Sequence, residues 1–199
     1  MNELVRQYFN IAFLMGKPQD LPAGPEQLKI GFVLALITYV MALAVPYGIP
    51  QALMQAFVDL ACTAAVLHIA LHVLGKASRF SQAFGGLCGA SAFINLAAVP
   101  LYMTRPQGLQ DSSGGALADF VLLVWGLSLL GHVIRHTFEV SMVISILASF
   151  VYFVVLSTII TVFLPLPAVA PAVMEVSFIF TDSAISWVAK LVEAPSIHS

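Results

Sequence analysis

Two pairs of histidines carry the most specific chemical signal in the sequence. His68 and His72 lie four residues apart in HIALHVLGK. His132 and His136 repeat that spacing in HVIRH. Residues at i and i+4 share one face of a helix, so four imidazoles at one depth could bind a transition metal ion, and two opposed imidazoles could ligate a haem. The alternative is that these histidines lie at a membrane boundary, where an imidazole keeps one nitrogen in water.

Two acids, Asp59 and Asp119, lie within apolar sequence. A charged group inside a bilayer costs at least a few kcal/mol unless it faces protein, water or a partner. One interpretation is therefore a proton or ion relay that uses these carboxyl groups. The other is a structural hydrogen bond to a neighbouring helix, and Asp119 has the further support of a position near a helix N-terminus.

The elements that must position these residues are membrane-spanning helices. Hydrophobic residues make up 60% of the 199-residue chain and charged residues only 9%, against roughly 25% charge in a globular domain. Three uncharged stretches, 30–58, 80–104 and 140–174, are each long enough for a span of about 20 residues. We therefore predict an all-α, polytopic integral membrane protein. A net charge of −2 provides no basic stripe, so nucleic acid is not an expected partner.

The chain divides into three segments. Residues 1–28 combine an amphipathic helix, which we expect in the membrane interface, with a proline-rich linker. Residues 29–164 contain five predicted spans, at about 30–47, 51–74, 81–103, 116–134 and 140–164. Residues 165–199 contain a second amphipathic helix at about 172–193. We interpret that helix as interfacial, with a sixth span as the alternative.

Small residues open the third span. Gly85 and Gly89 have GxxxG spacing, and Gly86 and Ala90 continue the same small face, which permits close approach of another helix. Asn95, further along the span, is predicted to hydrogen-bond to a neighbouring helix. On this interpretation, Gly89→Leu should separate the span from its neighbour and lower the recovery of partner proteins.

Basic residues near the span ends predict the orientation. Six of the eight bases fall on one side of a five-span arrangement, namely Arg6, Lys17, Lys29, Lys76, Arg79 and Arg135. Because cytoplasmic loops carry an excess of Lys and Arg, we expect a cytoplasmic N-terminus. The expected location is the inner membrane of a bacterium.

One stretch, RFSQAFGGLCGASAFINLAAVPLYM, resembles the third span of the Yip1 family of small membrane proteins. The matching features are a phenylalanine-rich approach, small residues and a closing proline, namely Phe80, Phe84, Gly85, Gly89 and Pro100. GKPQDLPAGPEQL is also similar to the linkers of small bacterial membrane proteins. The resemblance implies a non-enzymatic five-span protein with a cytoplasmic N-terminus and a role in organising partners.

We therefore interpret the chain as a non-enzymatic accessory or scaffold subunit of a membrane complex. Its loops are too short for a catalytic domain, and no nucleotide-binding loop or HExxH zinc motif is present. The expected partners are membrane lipid and other integral membrane proteins, and no cofactor is expected. The alternative is a redox or transport component that uses the HxxxH pairs and Asp59, with a metal ion, a haem or a proton relay.

Overall fold

The computed structural model describes residues 2–104 and 113–163. Within these two ranges there is no β-strand, which confirms the all-α prediction. Two short 3-10 turns, Pro18–Asp20 and Ala77–Arg79, lie between helices. The helices are α1 (Asn2–Ala12), α2 (Pro25–Tyr47), α3 (Ile49–Val73), α4 (Phe80–Met103), α5 (Ser113–Phe138) and α6 (Met142–Phe163).

Five of these helices, α2 to α6, are long and apolar enough to cross a membrane. The protein is therefore a polytopic helical membrane protein, as predicted. The fourth span extends beyond its predicted end at residue 134, because Arg135 and His136 continue α5 to Phe138. Basic side chains are favourable in the last turn of a helix, where they face the negative end of its dipole. The predicted C-terminal helix at 172–193 lies outside the described residues.

The connection between α2 and α3 is a single residue, Gly48. Its φ of +81° lies in the left-handed region, which glycine enters without steric cost. Pro50 follows in the first turn of α3, where no helical hydrogen bond from its nitrogen is needed. This tight turn makes α2 and α3 an antiparallel hairpin.

The central span is α4, which contacts α2, α3 and α5, while α6 packs against α5 and α3. In the apolar stretch of α4, 56% of the residues are buried, against 11% in α6. One end of the bundle contains the connections after α3 and α5, with Lys76, Arg79 and Arg135. We call it the basic end. The other end contains Gly48.

The N-terminal helix α1 is amphipathic, but its apolar side is divided between protein and exterior. Tyr8 and Ile11 are buried against the bundle, chiefly against α4. Val5 and Phe9 remain more than 40% exposed and are available to lipid. Half of its apolar side thus enters a groove of small residues in the same chain, and its position in the membrane interface stays a prediction.

Candidate functional site

The first histidine pair lies on the exposed surface of α3. His68 and His72 are stacked, with ring centroids 6.4 Å apart and planes 12° apart. The His68 ring also meets the Phe80 ring edge-on at 5.3 Å. The pair therefore faces the exterior near the basic end.

The second histidine pair holds the N-terminal linker. The His132 Nε2 atom lies 2.7 Å from the carbonyl oxygen of Gly16. The side-chain amide of Gln19 donates a hydrogen bond to the carbonyl oxygen of His136. In the described part of the chain, no group of three or more His, Cys, Asp or Glu residues could hold a metal ion. The four histidines are thus not brought into one metal site, because the two pairs meet different surroundings.

The small-residue face of α4 receives the N-terminal segment of the same chain. A Cβ added at Gly89 would overlap the ring of Tyr8, and one added at Gly86 would come within 2.9 Å of the Leu21 side chain. Ala90 is fully buried. The close approach expected of a GxxxG face therefore occurs within the same chain, with α1 and the linker at Gly89 and Gly86 and with α2 at Gly85.

Gln27 of α2 connects α1 to α4. Its carbonyl oxygen accepts a 2.6 Å hydrogen bond from the Tyr8 hydroxyl, and its side-chain amide donates to the carbonyl oxygen of Ser81 at 2.5 Å. A Cβ added at Gly85 would come within 2.6 Å of the Gln27 amide. Burial raises the pKa of Tyr8 to about 12, so the phenol remains a donor at neutral pH. Three helices are thus joined through one buried glutamine.

Asn95 lies deeper in the same packing layer between α2 and α4. Its Nδ2 atom donates to the hydroxyl oxygen of Thr38 at 3.5 Å. The Thr38 hydroxyl in turn donates to the carbonyl oxygen of Leu34 at 2.8 Å. The side chain therefore contacts the neighbouring helix through a polar group that is already bonded within its own helix.

Asp59 belongs to a polar stripe on α3. Gln55, Asp59 and Thr63 are four residues apart in succession, so they share a helix face, and Gln55 and Thr63 are buried. The Thr63 hydroxyl lies 2.5 Å from the Tyr152 hydroxyl of α6. This spacing of polar residues is the sequence signal that could have identified Gln55 and Thr63 beside Asp59.

A string of tyrosines extends from Asp59 toward the end of the bundle that contains Gly48. Tyr39 is close enough to Asp59, Tyr102 and Tyr47 to interact electrostatically with each. Tyr47 also interacts with Asp119, which is 1% exposed. Each of the two acids, far apart in sequence, thus lies within electrostatic range of a tyrosine on α2. The sequence does not indicate this grouping, because the tyrosines lie on α2 and α4 whereas the acids lie on α3 and α5.

An ion-pair cluster lies at the basic end. The Glu139 carboxylate accepts hydrogen bonds from Lys76 Nζ at 2.8 Å and from Arg79 Nη1 at 2.7 Å. These two cations lower the pKa of Glu139 to about 2, so it is ionised at neutral pH. The cluster ties the connection after α3 to the connection after α5. Glu139 is exposed, and its backbone φ of +60° is unusual for a residue with a side chain.

A cleft of about 290 Å³ opens between α3, α5 and α6. Its walls are almost entirely apolar, with Thr63 and Tyr152 at one extreme and Leu74, Phe138 and Val140 at the other. The sequence did not indicate this cleft, since the lining residues of the three helices resemble ordinary lipid-facing positions.

No family model, curated protein or solved structure matches the chain.

Proposed function

We propose that this protein is a non-enzymatic accessory or scaffold subunit that organises a membrane complex. Its N-terminal segment is locked into its own bundle through Tyr8, His132 and Gln19. A fixed internal packing of this kind suits a rigid platform, because it leaves the outer helix surfaces in a constant arrangement. Membrane lipid and other integral membrane proteins are the proposed partners.

The uneven burial of the five spans carries this proposal. α4 is enclosed by its own chain, whereas α6 packs along α5 and has only 11% of its apolar stretch buried. Large apolar side chains cover the remaining surface of α6, including Val143, Leu147 and Val151, which are 60–68% exposed. Helices associate in bilayers through side-chain packing, so this surface has room for a further helix.

The proposed location is the inner membrane of a bacterium, with the N-terminus in the cytoplasm. Lys76, Arg79 and Arg135 are grouped at the basic end, and loops that are rich in Lys and Arg remain cytoplasmic. The resemblance of the third span to the Yip1 family favours the same orientation and a role in organising partners.

Photo-crosslinking from α6 tests the scaffold role. A benzoylphenylalanine residue replaces Leu147, which is 60% exposed, and in a matched variant replaces Ile37 of α2, which is 52% exposed. Irradiation of cells followed by mass spectrometry should yield a discrete protein adduct from position 147. Lipid adducts alone from both positions would contradict the proposal.

Cysteine labelling tests the orientation. Ser78 is exposed at the basic end and Thr104 is exposed at the other end, so either can become cysteine without loss of a buried contact. In a background with Cys62 and Cys88 replaced by alanine, an impermeant reagent outside the cell should label T104C and not S78C. The reverse pattern would invert the orientation. Gln19 is unsuitable for this test because its side chain bonds to α5.

A second candidate function is transport by a proton or ion relay. The string of tyrosines between Asp59 and Asp119 favours it, since an ionisable group inside a membrane domain commonly marks a proton or ion pathway. In this role, Asp59 exchanges a proton at mid-depth, and the phenols lead toward the end of the bundle that contains Gly48.

Proton flux into proteoliposomes with an enclosed pH-sensitive dye tests the relay. Asp59→Asn should abolish the flux, Asp59→Glu should retain part of it, and Glu26→Gln should leave it unchanged because Glu26 is exposed and paired with Lys29. Equal flux in all variants and in protein-free liposomes would refute the relay.

A further inference from the structure

The cleft between α3, α5 and α6 is long and narrow, with dimensions that suit one alkyl chain. Its α3 wall extends from Thr63 to Leu74, which is roughly 16 Å of helix. A volume of about 290 Å³ over that length suits a slender apolar occupant such as one alkyl chain. At its inner extreme, the Thr63 and Tyr152 hydroxyls bond to each other at 2.5 Å.

Two cations, Lys76 and Arg79, lie at the other extreme of the cleft, at the basic end. The Nζ atom of Lys76 donates a 3.2 Å hydrogen bond to the carbonyl oxygen of Phe138, whose side chain lines the cleft. Arg79 Nη1 donates to the carbonyl oxygen of Thr137 at 3.2 Å. Glu139 is the carboxylate that both cations share, so these three side chains carry a net charge of +1.

We propose that this cleft binds one acyl chain of an anionic phospholipid from the leaflet at the basic end, with the lipid phosphate at Lys76 and Arg79. Lys76 and Arg79 form the opening of the cleft at the basic end, which we call the basic mouth. An apolar cleft with a basic mouth is complementary to an amphiphile with an anionic head. Among the described residues, Arg79 bonds to protein through Nη1 alone, and a guanidinium has five N–H donors, so others remain to bind phosphate oxygens. Basic pockets between membrane helices bind anionic lipid heads in this way.

This assignment does not depend on the scaffold role, because a structural lipid can occupy a subunit with any function. The alternative occupants are residues 164–199 of the same chain and a helix of another protein. The small volume of the cleft favours a single acyl chain, and the cations Lys76 and Arg79 favour a phosphate group. The tests below separate the three.

Lipid retention measured by native mass spectrometry tests the basic mouth. The purified full-length protein is titrated with phosphatidylglycerol and with phosphatidylcholine of the same acyl chains. Phosphatidylglycerol should bind more tightly, and Lys76→Gln and Arg79→Gln should each weaken its binding about tenfold, the equivalent of one charge-assisted hydrogen bond. Lys29→Gln, at the same end on α2, should have no effect. Equal binding of the two lipids, or equal effects of all three substitutions, would overturn the proposal.

A cleft-filling substitution tests the acyl-chain channel independently of the ion pairs. Ala70 lines the cleft, whereas Ala65 lies on the exposed face of the same helix. Ala70→Phe should lower phosphatidylglycerol retention about tenfold with an unchanged circular dichroism spectrum, and Ala65→Phe should not. Retention that is equal in these two folded variants would show that the lipid binds elsewhere.

Crosslinking from within the cleft identifies its occupant directly. A benzoylphenylalanine residue replaces Ile134, which lines the cleft on α5. Irradiation in native membranes should add the mass of a phospholipid to the peptide that contains position 134. A crosslink to residues 164–199, or to a second protein, would overturn the proposal.

Discussion

At the scale of single residues, Tyr8 shows how one side chain can fix the start of the chain. Its hydroxyl donates to the carbonyl oxygen of Gln27 at 2.6 Å, and its ring lies over Gly89. The ring fits only because position 89 has no side chain. The contact therefore depends on a large side chain at position 8 and on the lack of a side chain at position 89, which is 81 positions away.

The first prediction concerns Gly89→Ala. The added methyl group should overlap the Tyr8 ring, and such overpacking lowers the free energy of unfolding by about 1–3 kcal/mol. Gly126→Ala in α5 is the matched control, because a Cβ there meets no atom within 4 Å. It should be neutral or stabilise by about 0.5–1 kcal/mol through helix propensity. Denaturant unfolding in micelles provides both values, and similar effects of the two substitutions would refute the contact.

The second prediction concerns the pH dependence of the Glu139 cluster. Lys76 and Arg79 lower the pKa of Glu139 from 4.5 to about 2. Because the folded-state pKa is the lower one, the stabilisation is fully present above about pH 4.5 and is lost as the pH falls toward about 2. The difference in thermal midpoint between wild type and Glu139→Gln should thus shrink over that window. It should also shrink with added salt, since the Glu139 side chain is 58% exposed.

A midpoint difference between wild type and Glu139→Gln that disappeared already between pH 7 and pH 5 would contradict this assignment. Glu26→Gln is the control, because its partner Lys29 and Glu26 itself are both largely exposed. Its effect on the thermal midpoint should be smaller at every pH.

At the scale of elements, α1 and the linker after it are held mainly by α4 and α5. Trp125 Nε1 donates a 2.7 Å hydrogen bond to the carbonyl oxygen of Ala12, which belongs to the last turn of α1, where carbonyl groups have no partner within the helix. His132 contacts the carbonyl oxygen of Gly16, which follows Ala12 in the linker. The polar side chains of α5 thus satisfy backbone groups that have no helical partner.

The third prediction tests this role of the second histidine pair. His132→Phe keeps a ring of similar size but loses the hydrogen bond to Gly16, which should cost about 0.5–1.5 kcal/mol. Amide hydrogen exchange in residues 13–21 should become faster. His72→Phe, on the exposed face of α3, should leave that exchange unchanged. Unaltered protection in the His132 variant would show that the linker is held by other contacts.

At the scale of the whole molecule, stability is concentrated around α4 and the parts of α5 that face it. Leu129 and Val133 of α5 are at most 1% exposed and belong to the core that also contains Tyr8 and Leu87. α6 contributes little to this core. The molecule therefore combines a closely packed centre with a peripheral helix.

The fourth prediction compares two identical substitutions on neighbouring helices. Leu129→Ala should lower the free energy of unfolding by about 2–5 kcal/mol, because it leaves a cavity in the core. Leu147→Ala on α6, where the side chain is 60% exposed, should change it by no more than about 0.5 kcal/mol. Comparable losses would mean that the exposed surface of α6 is packed in the purified protein.

The helical membrane class and the five spans follow from the sequence by itself. A bilayer offers no hydrogen-bond partner to the backbone, so each long apolar stretch must form a helix, and only its length and composition matter. The turn at Gly48 is equally local, since it depends on one glycine between two prolines. These features could be predicted because each is decided by residues that are neighbours in the chain.

The tertiary structure decided which surfaces meet. The spacing of Gly85 and Gly89 predicted a close approach but could not identify Tyr8 as the residue that fills it. The HxxxH spacing is the same in both pairs, yet His132 faces Gly16 and His72 faces the exterior. The cleft is formed by three helices whose lining residues are separately unremarkable. The rotation of each helix about its own axis, and the helices that it contacts, are decided by packing between segments that are far apart in sequence. No local pattern encodes either of them.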